Sequence, residues 1–189
     1  MSFRSLLGCA CVALTLTVLA SAAVAEKKCG PDATDTEFEI GQAMPYSGPA
    51  SAYSAYGTVI AAYFRKINDE GGINGRKITF ISRDAYSPSK GVEMTRRLVE
   101  QDKVLFTFAP LGTPQNTAVH AYMNGRKLPQ LFVFSGATKW NDPQNHPLTK
   151  GLTISYKTEV RIYVKHALQT KPDAKIGALY QIEDFGRDS

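Results

Sequence analysis

Residues 40–80 decide the fold: Ile40-Gly41-Gln42-Ala43-Met44, then Pro45-Tyr46-Ser47-Gly48-Pro49, an amphipathic run over 53–70, Gly71-Gly72-Ile73-Asn74-Gly75, and a second apolar segment ending at Phe80. The order reads as strand, small-residue loop, helix, glycine stop, strand. A crossover of that length suits one βαβ unit, and such units place ligand loops beyond the carboxyl ends of parallel strands. Within the run, Ile60, Phe64 and Ile67 recur at spacings of four and three, the apolar stripe of an amphipathic helix. Gly71-Gly72 ends it, because glycine takes the left-handed cap conformation without steric cost. The loop 45–49 is too small and polar for a core and reads as a recognition loop.

Downstream the same alternation repeats. Ser87-Pro88 is a cap followed by proline at the first helical position, and Val92, Thr95, Leu98 and Val99 form the inner face of the helix that follows. Residues 104–108 are a continuous apolar run of buried-strand type. Pro114 opens a further helix that ends near Asn124-Gly125, and strands are predicted at 131–134, 149–155 and 175–180, with a helix over 160–168. Strands alternating with helices imply an α/β fold with a doubly wound parallel sheet. The segment 143–147, with two prolines, is the best candidate for the start of a linker.

The first 25 residues read as a signal peptide. Arg4 gives a positive start, residues 6–19 an apolar run, and Ala23-Val24-Ala25 a small-x-small cleavage pattern, so the chain is expected to be exported and cleaved after Ala25. Cys9 and Cys11 leave with that segment, which makes Cys29 an odd cysteine in an exported chain, with no partner in the sequence. The net charge of +5 is spread along the chain, without the clustering and aromatic interleaving of a nucleic-acid groove.

Three loops, Ser47-Gly48-Pro49, Gly112-Thr113-Pro114 and Ser135-Gly136-Ala137-Thr138, each follow a predicted strand and supply hydroxyls, small residues and open backbone groups. In a parallel sheet all three fall on one edge. Thr113 is either the cap before Pro114 or an anion-holding hydroxyl, and Thr138 is open between turn former and ligand contact. Catalytic signatures are missing: the glycine cluster at 71–75 lies between helix and strand rather than in a G-x-G-x-x-G turn, there is no G-x-S-x-G, and His120, His146 and His166 lack zinc-ligand spacing. No cofactor is expected, and an enzyme on a doubly wound sheet is the weaker reading. Asp84 reads as a turn former through its side chain.

The run Tyr46-Ser47-Gly48-Pro49, Tyr53, and Ile67-Asn68-Asp69-Glu70-Gly71-Gly72-Ile73-Asn74-Gly75-Arg76-Lys77 resembles the substrate-binding proteins of branched-chain amino acid ABC transporters, of the type I periplasmic binding protein class. Pro129-Gln130-Leu131-Phe132 leading to Ser135-Gly136-Ala137-Thr138, and Ala178-Leu179-Tyr180 leading to Asp184-Phe185-Gly186, continue the match, so that it covers nearly all of 33–189. The resemblance implies two α/β lobes with a ligand cleft between them: a first lobe over 33–154 carrying a ligand half-site, and over 155–189 the beginning of an incomplete second lobe, so that the sequence reads as a fragment. It further implies that Thr113 holds a ligand carboxylate, that Gly136 and Thr138 contact the ligand's amino group or carboxylate, and that Tyr53 and Phe185 are aromatic walls. Where the family often has tyrosine this chain has Phe185, which implies a more apolar pocket. The implied function is a periplasmic receptor, monomeric at full length, that delivers an amino acid or a related small carboxylate, aromatic acids included, to an inner-membrane permease. A ligand sensor of the same fold is the alternative. Trp140 would suit a flat apolar ligand group or plain packing.

Overall fold

A computed structural model describes residues 33–188. The expected signal segment with its cleavage site, and Cys29, lie outside the described residues. The elements run β1 (Glu37–Met44), α1 (Ser54–Asp69), β2 (Lys77–Asp84), α2 (Pro88–Glu100), β3 (Phe106–Phe108), α3 (Thr113–Gly125), β4 (Gln130–Val133), β5 (Thr149–Gly151), α4 (Tyr156–Thr170) and α5 (Asp184–Arg187), with single 3-10 turns at Ser51–Tyr53 and Thr138–Asn141.

The five strands among the described residues are all parallel, in the order β2-β1-β3-β4-β5. β1 and β2 pair over their full length, from Glu37 opposite Lys77 to Met44 opposite Asp84. The chain steps one way from β1 to β2 and the other way to β3, and right-handed crossovers then put α1 and α2 on opposite faces. Two neighbouring residues of β1 record this. Ile40 packs with Phe64 of α1 and Ile78 of β2, while a side chain at Gly41 would meet Leu98 of α2 at 3.2 Å and Val104 at 3.1 Å. Successive strand residues face opposite sides of the sheet, and the missing side chain at position 41 lets α2 lie close.

On the α1 face, Phe64 meets Phe80 and Phe108 edge-on with centroids 5.2 and 5.5 Å apart. Burying such a ring contributes about 1.5–3 kcal/mol. On the other face α2 buries Met94, Thr95 and Leu98, with Val92 and Val99 half-buried at its margin. Ser87 caps it as expected, its side chain accepting the Lys90 amide, with Pro88 at the first position. The fold is the expected α/β doubly wound parallel sheet.

Three local expectations differ from the structure. Residues 175–180 are not a strand: the apolar pattern is there, but among the described residues no strand lies beside them to complete a ladder, and Ile176, Leu179 and Tyr180 stay exposed. The segment 143–147 is no linker either. It is a loop between the 3-10 turn at Thr138–Asn141 and β5, folded on Asp142, whose carboxylate accepts the Asn145 amide and whose carbonyl accepts the His146 amide. The strand predicted at 149–155 is confined to Thr149–Gly151. Beyond it α4 buries none of its residues completely, and Val160, Ile162, Tyr163 and Leu168 are exposed.

Candidate functional site

The strand order reverses between β1 and β3, and in open α/β sheets ligands bind outside the carboxyl ends of the strands at such a switch point. Loop 45–53 leaves β1 there, loop 109–112 leaves β3, and loop 134–138 leaves β4 beside it. Because the strands are parallel, the three loops share one edge.

The β1 loop is held from beneath and from the side. Asp84, at the end of β2, accepts the amides of Tyr46 (2.9 Å) and Ser47 (3.2 Å), and its other oxygen accepts the Ser47 hydroxyl. Tyr46 Oη bonds Ser82 Oγ at 2.7 Å, Ser82 donates to Gln42 Oε1 at 2.9 Å, and buried Gln42 donates to the Ala109 carbonyl at 3.1 Å. This partly buried network joins the loops after β1 and β3. Gly57 of α1 lies against it, where an added Cβ would overlap the Tyr46 hydroxyl. Asp84 is therefore more than a local turn former: it ties the end of β2 to the recognition loop of β1.

Across the switch point, Thr113 Oγ1 and Ser135 Oγ are 2.7 Å apart, with both residues almost wholly buried. Ser135 Oγ also accepts the Ala137 amide at 3.2 Å. Thr113 is the first residue of α3 rather than its cap. The cap position is Gly112, at φ 104°, a backbone conformation that favours glycine. The Thr113 hydroxyl is thus spent on joining the β3 and β4 loops.

Thr138 lies on the same loop as Ser135, and the carboxylate of Asp188 grips it: the Thr138 amide donates to one oxygen at 2.5 Å and its hydroxyl to the other at 2.8 Å. Gly136 is enclosed, since a Cβ there would come 2.6 Å from the Tyr156 ring, and its carbonyl accepts the Tyr156 amide at 2.8 Å. Phe185 meets that same ring edge-on at 5.2 Å. Tyr53, half-exposed, stacks on Tyr56 with centroids 6.2 Å apart, and Tyr56 meets Phe134 edge-on at 4.7 Å. Tyr56 and Phe134 extend the aromatic wall from the α1 entrance to the β4 loop, a link that sequence spacing does not reveal.

Of the residues singled out from sequence, Thr113, Gly136 and Thr138 come together around the β3 and β4 loops. Tyr53 joins them through Tyr56 and Phe134, and Phe185 through Tyr156. Trp140 does not join them: it is fully buried in a core cluster with Val133 and Ala137. Below it, His120 of α3 stacks on His146 with centroids 3.8 Å apart and meets Trp140 edge-on. Asn124 donates to Thr149 Oγ1, and His120 Nε2 lies 3.0 Å from that same hydroxyl oxygen. Burial first, then the charges of His146 and Lys139, lowers the His120 pKa to about 4. Among the described residues no group of three or more His, Cys, Asp or Glu is placed to hold a metal ion, and no helix is long and apolar enough to cross a membrane.

The sequence profile described as periplasmic binding protein matches residues 37–189. The chain belongs to the periplasmic binding protein family. Similar solved structures include a substrate-binding periplasmic protein from Ralstonia solanacearum, 27% identical with a TM-score of 0.72, covering 80% of this chain and 43% of that one. A possible leucine/isoleucine/valine-binding protein from Rhodopirellula baltica is 22% identical with a TM-score of 0.73, covering 85% of this chain and 43% of that one. A solute-binding protein of an ABC transporter from Rhodopseudomonas palustris, in complex with 3,4-dihydroxybenzoic acid, is 21% identical with a TM-score of 0.68, covering 80% and 41%. The chain thus spans less than half the length of these periplasmic binding proteins. No curated protein matches it.

Proposed function

We propose that the loops at the carboxyl edge form the first-lobe half of a solute-binding cleft, and that the chain serves as the periplasmic receptor of an ABC importer for a small carboxylate. The grip of Thr138 on a carboxylate carries this reading: amide and hydroxyl together already hold the two oxygens of Asp188. Charge-assisted hydrogen bonds of this kind are about twice as strong as neutral ones. The Thr113–Ser135 pair keeps the β3 and β4 loops in register beneath that grip. Tyr53, Tyr56 and Phe134 offer an apolar wall beside it, which suits a branched aliphatic or aromatic body, because aromatic side chains bury large areas in specific geometry. The candidate ligands are therefore branched-chain amino acids and related small acids, aromatic ones included. In this reading residues 33–154 form the first lobe and 155–189 open a second one carrying Phe185. The chain reaches the periplasm with its leader cleaved after Ala25, and an inner-membrane permease receives the ligand.

Thermal unfolding of the purified chain with L-leucine, benzoate, leucinamide and benzamide tests this reading. A ligand that binds only the native state raises apparent stability by RT ln(1 + [L]/Kd). The free acids are expected to raise the midpoint and the amides to leave it in place. Equal shifts from acids and amides contradict a carboxylate site.

A further inference from the structure

The Thr138 cradle is filled from within the chain. α5 (Asp184–Arg187) lies against α3, and three contacts fix the 184–188 segment over the β4 loop. Asp188 takes the amide and hydroxyl of Thr138 at 2.5 and 2.8 Å. Lys139, the next residue, reaches Asp184 at 3.2 Å and Thr117 Oγ1 at 3.3 Å. Phe185 sits edge-on against Tyr156, which in turn covers Gly136.

We infer that the 184–188 segment is an autoinhibitory strap, with the Asp188 carboxylate standing where a ligand carboxylate binds, so that a ligand must displace Asp188 to enter. The inference rests on the reading of Thr138 as a carboxylate contact. Its physical basis is chemical identity: Asp188 offers the same two oxygens as a free carboxylate, to the same two donors, without the translational entropy that a free ligand loses on binding. The Lys139–Asp184 pair, about one-third exposed on the lysine side, aligns the strap but contributes little energy of its own. The Asp188 bonds are therefore the ones that hold the closed state. A site available for only a fraction of the time binds with its intrinsic Kd divided by that fraction, so a strap open one-tenth of the time weakens affinity about tenfold.

The test compares the full chain with Asp188→Ala and Thr138→Ala, titrating benzoate and L-leucine while following backbone amide NMR signals. Asp188→Ala is expected to move the Thr138 amide in the absence of any ligand, and to tighten binding of the two probes about tenfold. Thr138→Ala should abolish binding with or without Asp188. An unmoved Thr138 amide in Asp188→Ala overturns the strap contact. Equal probe affinity in the wild type and Asp188→Ala overturns the inhibition while leaving the carboxylate site standing. Absence of probe binding in Asp188→Ala despite a shifted Thr138 amide overturns both the inhibition and the site.

Discussion

Acidification should destabilise this lobe through His120, and the size of the effect follows from the environment of that ring. His120 is 7% exposed, stacked on His146, edge-on to Trp140, and its Nε2 shares a hydrogen bond of 3.0 Å with the Thr149 hydroxyl. Its native pKa is lowered from 6.5 to about 4 by burial first, and then by the charges of His146 and Lys139, with Asp142 opposing. Between these two values the unfolded chain binds a proton that the folded chain refuses. Stability from this group is therefore complete above about pH 6.5 and is lost as pH falls towards 4. At 1.36 kcal/mol per pKa unit the full loss is about 3 kcal/mol, of which about 2 kcal/mol has gone by pH 5. For a domain whose total stability is about 5–15 kcal/mol this is a large share. Carboxylates titrate in the same range, so the assay is a difference: urea unfolding of wild type and His120→Gln at pH 7 and pH 5. At pH 7 the variant should be the less stable, because it loses the stack and the Trp140 edge contact. By pH 5 the wild type's advantage should shrink by about 2 kcal/mol. A gap that stays constant or widens on acidification would refute the assignment of His120 as a buried neutral base.

Three further outcomes follow from the packing. Gly57→Ala gains about 1 kcal/mol of helix propensity but drives a methyl group into the Tyr46 hydroxyl; overpacking costs about 1–3 kcal/mol, so urea melts should show net destabilisation, and a net gain would show that the loop yields freely. Thr113→Val and Ser135→Ala should each cost about 1–2 kcal/mol, and together less than their sum, with a coupling of at least about 0.5 kcal/mol in a double-mutant cycle; strict additivity would mean that the 2.7 Å bond between them contributes nothing. Asp84→Ala should release the amides of Tyr46 and Ser47, read as faster hydrogen exchange at those two positions than in the wild type, while exchange in β4 stays unchanged.

The sheet was legible because local pattern and topology agree. The stripe Ile60, Phe64, Ile67 faces β1 and β2 as its spacing requires, and Ser87-Pro88 starts α2 where a cap followed by proline should. The 175–180 segment misled because apolar patterning specifies what a strand would bury but not whether a neighbour is present to pair with it. In the candidate site the loops were legible and their bonds were not. Thr113 looked like a helix cap, yet its hydroxyl bonds Ser135, which lies 22 residues away. The His120–His146 stack joins residues 26 positions apart through the packing of Trp140, and no local signal announces it. Asp84 reads as a turn former because aspartate after a strand commonly is one. Its real partners, the Tyr46 and Ser47 amides, are brought near only by the parallel pairing of β1 with β2.

The carboxyl edge at the strand-order switch is the proposed seat of a small carboxylate. Mapping backbone amide shifts of Asp188→Ala as benzoate is added tests this most directly, since that variant leaves the cradle vacant. The largest changes are expected on Thr113, Ser135, Thr138 and the loop carrying Tyr53. Changes concentrated at the opposite edge, around Asn74, Lys103 and Lys127, or spread evenly over the lobe, would contradict that placement.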